Sequence, residues 1–196
     1  MDFKQALDSK IADHNLLNHP FYQAWSTGEL PLNALRSYAR EYGAFISTVP
    51  EGWETVGDAE TTAEEIRHID LWADFATGLD TTVSEAEIPQ VKTLVEAANE
   101  LFSERATALG ALYAFEAQQP ATAQSKLIGL KAFYQLPKTV EPYFETHAHN
   151  DHEAEMLLAR IAELPSEAHA TVIQACEQMS VALWNALTGI HDAECA

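Results

Sequence analysis

Leu32, Leu35, Tyr38, Ala39, Tyr42 and Phe45 fall on one stripe at helical spacing, and the same pattern recurs along the chain. Phe3, Ala6, Leu7, Ile11 and Leu16 repeat it over residues 2–17. Val172, Ile173, Cys176, Met179, Leu183, Trp184 and Leu187 repeat it behind a capping Ser166. Helix breakers sit between these stripes. His19-Pro20 opens a short helix over 20–26, Gly28 and Pro31 make the next turn, and Pro50 and Gly52 break or kink the chain before a helix reaching Gly78. Ser84 and Glu87 have capping-box spacing ahead of a helix over 85–103. Further helices are expected over 104–118, from Pro120 to Tyr134, and from Tyr143 to Leu164, with Pro137 and Pro142 bracketing a loop. Seven or eight helices with short connections can bury their apolar stripes only against one another. The expected fold is therefore all-α, a helical bundle over residues 1–196 as a single domain.

Composition removes several classes of function. The chain has 30 acidic and 11 basic residues, a net charge of −19, and no cluster of Lys and Arg to neutralise phosphates. Nucleic acid is excluded as a partner, and an anionic membrane surface would repel the protein. No apolar run approaches the roughly 18 residues needed to span a bilayer. The first residues lack the basic-then-apolar layout of a secretion signal, so a cytoplasmic location is expected. Cys176 and Cys195 form no CxxC pair and suggest neither a disulfide framework nor a thiolate zinc site.

Polar residues at core-like positions call for a further explanation. In YFETHAHNDHEAEMLLARI, His147, Asp151 and Glu155 recur every four residues and would share a helix face with Tyr143 and Leu158. A solvated face with incidental histidines is the alternative. In TTAEEIRHIDLWADF, His68 precedes the inward Leu71, Trp72 and Phe75, and Glu64 and Glu65 lie one turn before it. Of these two, Glu64 is preferred as a partner of His68. Glu116, in LYAFEAQQP, sits among apolar residues and needs a partner if buried. Imidazoles and carboxylates on separate helices of a bundle are how sites for non-haem iron or manganese are built.

HPFYQAWSTGELPLNALRSYAREY, HIDLWADFATGL, ALYAFEAQQPATAQSKLIGLKAFY and YFETHAHND occur in that order and resemble the signatures of CADD-type proteins. More distantly, the chain is similar to TenA-type and PqqC-type proteins, which share a haem-oxygenase-like fold. The resemblance implies a seven- or eight-helix bundle of that type and a non-haem dimetal oxygenase. Its metal pattern falls on His68, Glu116, His147 and Asp151. It departs at two positions: the Glu expected seven before His68 is Thr61, with Glu64 or Glu65 as substitutes, and the last His falls on Ala154, with His152 or Glu155 as stand-ins. Two, one or no ions are compatible with that set, as iron or manganese.

The resemblance further implies synthesis of the aminobenzoate part of folate from the protein's own side chains. Tyr22 matches the Tyr that supplies the ring and Lys126 the Lys that supplies nitrogen; Tyr42 is a further candidate redox phenol. On the residues alone, Tyr22 and Tyr42 also read as packed aromatics and Lys126 as a surface lysine. Dioxygen, a small-molecule substrate and a homodimer are the expected partners. The competing functions are a TenA-type thiamine-salvage hydrolase, which needs a nucleophilic Cys, and a non-catalytic small-molecule-binding protein with a degenerate metal site.

Overall fold

The computed structural model describes residues 3–150 and 152–195. Among them there is no strand, and the helices are α1 Phe3–Ala12, α2 Pro20–Thr27, α3 Leu32–Ser37, α4 Gly43–Ile46, α5 Val49–Val56, α6 Ala59–Gly78, α7 Pro89–Leu101, α8 Arg105–Glu116, α9 Gln119–Phe133, α10 Pro142–His147, α11 His152–Ala162 and α12 His169–Cys195. The expected all-α bundle is present, cut more finely than seven or eight staves.

Three differences from the sequence reading have local causes. The segment Tyr38–Tyr42 between α3 and α4 is a π-helical turn, which nothing in YAREY announces. The helix expected from residue 85 starts at Pro89, because the Glu87 and Ile88 amides donate to the buried Glu41 carboxylate at 2.7 and 3.0 Å. The stave expected from Tyr143 to Leu164 is two helices, α10 ending at His147 and α11 starting at His152.

Residues Ala108 to Glu116 of α8 are all buried, so this helix is the bundle's axis. Helix α12 packs along α8, with α1 and α7 beside it. The crossing is tight at Gly110: a Cβ there would stand 2.1 Å from the Val172 carbonyl oxygen. Backbone on both sides leaves little room to yield, so Gly110→Ala is expected to lose about 3 kcal/mol or more. Urea denaturation checks this, and an unchanged midpoint would mean that α12 shifts freely along α8.

Helices α5 and α11 also pack on α8, and α6 packs against α5. Asp58 accepts from the Thr61 amide at 3.1 Å and so caps α6. The Arg160 guanidinium of α11 reaches the same Asp58 carboxylate and the Val56 carbonyl. These bonds tie the last turn of α11 to the start of α6. Helix α2 closes the bundle's end: Pro20 takes the first turn, His19 Nδ1 accepts from the Phe21 amide at 3.1 Å, and Gly28 ends the helix at φ 74°. Phe21, Tyr22 and Trp25 are buried beneath it. None of the helices is long and apolar enough to cross a membrane.

Candidate metal centre and the adjoining tyrosine–lysine chamber

Four helices bring their polar residues to one buried region. Helix α6 supplies Glu65 and His68, α8 ends on Glu116, α10 ends on His147, and the first turn of α11 carries Glu153; all five are buried. His68 Nδ1 lies 2.8 Å from Glu65 Oε1, and the His68 and His147 rings meet at 4.5 Å between centroids. Ligand atoms of Glu65, His68 and His147 lie within 4.8 Å of one another. Burial alone would lower the His68 imidazole, but Glu65, then Glu153 and Glu64, outweigh it and hold it above its ordinary value. Burial takes His147 down to about 3, so its ring is neutral. Its Nδ1 bonds the Tyr143 carbonyl at 2.7 Å, which makes that nitrogen the N–H and leaves Nε2 as a lone pair.

The carboxylates are less well provided for. Glu116 Oε1 accepts from Trp53 Nε1 at 3.3 Å, while Glu116 Oε2 and both oxygens of Glu153 are buried without a hydrogen-bond partner. Burial, together with the neighbouring carboxylates, raises Glu116 well above its ordinary value; Glu153 is raised by burial first, with Glu65 adding to it.

A second group lies beyond an aromatic wall. The Tyr22 and Tyr38 hydroxyls are 3.0 Å apart, and Lys126 Nζ is 3.4 Å from the first and 3.3 Å from the second. The Lys126 ammonium position faces the rings of Tyr22, Tyr38 and Phe144 at 4.9, 5.6 and 5.2 Å from their centroids. Lys126 is 3% exposed, so it is not a surface lysine, and burial takes its amine down to about 7. Tyr22, Tyr38, Tyr42 and Tyr143 are all raised by burial, so each remains a protonated phenol. With Trp72, Gln119 and Thr122 they line a tightly packed chamber with no room for a water molecule.

The other candidates fall as follows. Tyr42 stacks on Tyr38 at 4.8 Å and lies against Trp72 at 5.9 Å. The Glu64 side chain is 38% exposed and pairs with Arg67 at 3.6 Å, although it also lies within 4.8 Å of His152 and Glu153. Glu65 is thus the one of the two beside both histidines. Asp151 lies outside the described residues. His152 and Glu155 are exposed, and Thr61 is buried. Glu153 and Tyr38 were not singled out from the sequence. The spacing Glu153, Leu157, Ile161 carried the signal for the first, since the last two are core.

A family model described as an iron-containing redox enzyme matches residues 38–185. The chain belongs to this family. Two relatives are 4-aminobenzoate synthases: the one from Nitrosomonas europaea is 32% identical, with 99% of this chain and 93% of that protein aligned. The one from Chlamydia pneumoniae is 30% identical, with 94% and 92% aligned. Among solved structures, a TenA homologue from Pseudomonas syringae superposes with a TM-score of 0.80 at 16% identity, covering 97% of this chain and 93% of that one. A CADD-like protein from Nostoc punctiforme has a TM-score of 0.65 at 16% identity, covering 100% and 96%. A domain from Shewanella denitrificans with a haem-oxygenase-like fold superposes with a TM-score of 0.78 at 17% identity, covering 98% of this chain and 93% of that one, which shows that fold here.

The donor set fits the iron that the family description names. Two imidazoles whose Nδ1 atoms are held by a carboxylate and a backbone carbonyl present Nε2 outward, the usual arrangement around metal-bound histidine. The three carboxylate oxygens of Glu116 and Glu153 that are buried without a hydrogen-bond partner would be satisfied by a cation.

Proposed function

We propose that this chain forms 4-aminobenzoate from two of its own side chains, Tyr22 giving the ring and Lys126 the nitrogen. The observation that carries the reading is the placement of Lys126. In 4-aminobenzoate the amine stands para to the carboxyl group. On Tyr22 the para carbon bears the hydroxyl, and Lys126 Nζ is 3.4 Å from that hydroxyl.

His68, Glu116, His147 and Glu153, with Glu65 or the less buried Glu64, would hold the metal, as one or two ions of iron or manganese, and Asp151 belongs to the same proposed set. When bound, the metal supplies oxidising power drawn from dioxygen. The chain's own part is to keep the reactants dry and aligned. Tyr22 is fixed by Tyr38 and by the Phe21 and Trp25 rings. Among the described residues Lys126 has no carboxylate partner, and in its neutral form, which burial favours, the amine has the lone pair that bond formation to carbon requires. Tyr42 stacks behind Tyr38 and keeps it in place.

The closed chamber supports a substrate that is already part of the protein. A thiamine-salvage hydrolysis finds no activated cysteine: Cys176 and Cys195 both lie on α12 and both thiols are raised by burial, Cys176 to about 12 while donating to the Leu7 carbonyl at 3.8 Å. A cytoplasmic enzyme consisting of one domain, and a homodimer, belong to the same proposal.

The test is product formation after anaerobic loading with Fe(II) or Mn(II) and admission of oxygen, read by mass spectrometry. Chains carrying nitrogen-15 lysine should give labelled 4-aminobenzoate, at no more than about one per chain. Tyr22→Phe and Lys126→Arg should each reduce the yield more than about tenfold. Wild-type yields from both variants would overturn the reading.

A further inference from the structure

The tyrosine–lysine group and the metal centre are separate, and what lies between them is aromatic throughout. His147 stacks on Tyr143 with centroids 4.1 Å apart and planes at 30°. Tyr143 meets the edge of Trp72 at 4.8 Å, and Trp72 meets Tyr38 at 5.4 Å. Tyr38 then shares the 3.0 Å hydroxyl contact with Tyr22. At such separations neighbouring rings touch. Trp72 is the only indole in this path. It is held from two sides: its Nε1 donates to the Ala39 carbonyl of the π-helical turn at 2.8 Å, and a Cβ on Gly43 would lie only 2.6 Å from that nitrogen. The turn that breaks α-helical geometry, a kind often found at functional sites, is therefore the one docked on Trp72.

We propose that Trp72, bridged by Tyr143, relays an electron from the Tyr22–Tyr38 pair to the metal centre. This rests on the reading of the centre as an oxygen-dependent redox site. One electron leaves a phenol of the pair and its hydroxyl proton passes to the Lys126 amine, leaving a neutral phenoxyl radical and an ammonium. The electron crosses the Trp72 indole and the Tyr143 ring toward His147, and dioxygen at the metal centre is the terminal acceptor. Burial of Lys126, which takes its amine down to about 7 and so leaves a large share of it unprotonated at neutral pH, suits it to receive that proton. The oxidant thus acts on Tyr22 without meeting it, and the chamber stays closed.

The experiment is rapid-freeze electron paramagnetic resonance of the iron-loaded protein after mixing with oxygen, with iron content measured on each sample. In the wild type a tyrosyl signal should appear. In Trp72→Phe, at equal iron content, its rate of appearance should fall about tenfold or more. Singly and multiply fluorinated tryptophans, placed at position 72 alone, preserve shape and the indole N–H while making the indole harder to oxidise. They should slow the signal in order of fluorine number, which a purely structural Trp72 would not do, and they keep the test available if Trp72→Phe folds poorly. A wild-type rate across the fluorinated series overturns the relay. Iron-loaded wild type with neither radical nor 4-aminobenzoate overturns the redox reading on which it rests, so the two failures are distinct.

Discussion

Glu116→Gln is expected to strip the protein of iron while making the metal-free fold more stable at neutral pH. Glu116 Oε2 is buried and unpartnered, as are both oxygens of Glu153; burial first raises both carboxyls, with Glu153 and Glu65 adding to the rise of Glu116 and Glu65 to that of Glu153. The unfolded chain releases these protons near the ordinary value of 4.5, and the metal-free fold holds them to higher pH. Stability from such a group is full below the unfolded value and is lost as pH rises through the folded one. The metal-free wild type should therefore lose stability as pH rises above about 5. Glutamine keeps the shape and has no proton to lose. The variant's gain should be absent near pH 4, appear above about pH 5, and amount to about 1–3 kcal/mol at pH 8. In a chain of this size that is about 2–4 °C of melting temperature per kcal/mol. Iron affinity should fall more than about tenfold, since a ligand matters at least as much as the groups supporting one. Glu153→Gln should behave alike, and Glu155→Gln, on an exposed residue, should do neither. Calorimetry from pH 4 to 8 and elemental analysis check both halves. Unchanged iron content and melting at pH 8 would show that Glu116 neither binds the ion nor strains the empty site.

The helical bundle was legible because its apolar stripes keep one phase between clear breakers. His68, Glu116 and His147 stood out because each interrupts such a stripe. Glu65 was legible in principle, lying seven residues before the buried Trp72, yet three-residue and four-residue spacing from His68 look alike in sequence and Glu64 was preferred. The last segment misled for a physical reason. Continuous helical phase from Tyr143 carries Glu155 inward, but the helix breaks after His147 and restarts at His152, so phase is reset and Glu153 enters the site. Neither Pro nor Gly marks that break. Tyr38 was hidden differently: a tyrosine on an apolar stripe is ordinary, and only the meeting of α9 with α2 and the π-helical turn places Lys126 against it.

Lys126→Met should abolish 4-aminobenzoate formation and stabilise the protein at the same time. A methionine has nearly the lysine's length and none of its charge, and the surroundings are the rings of Tyr22, Tyr38 and Phe144. Among the described residues no carboxylate pairs with the amine; its hydrogen-bond contacts are the two phenols, at 3.3 and 3.4 Å. Burial takes it from 10.5 to about 7. Here the folded value lies below the unfolded one, so between about 7 and 10.5 the unfolded chain binds the extra proton and wild-type stability rises with pH. Realised in full, that difference is about 5 kcal/mol, and the two phenol contacts that methionine gives up reduce the net gain to about 2–4 kcal/mol. The gain from Lys126→Met should thus be largest at pH 7 and below, and shrink steadily toward pH 10, the opposite pH trend from Glu116→Gln. Urea denaturation of metal-free protein at pH 6.5, 8 and 9.5 separates the two. A buried neutral amine is of little use to a fold that only has to pack, whereas amine transfer to an adjacent ring carbon depends on it. If Lys126→Met proves less stable than wild type at pH 7, the amine is a structural partner of the two phenols, and its burial no longer speaks for a chemical role.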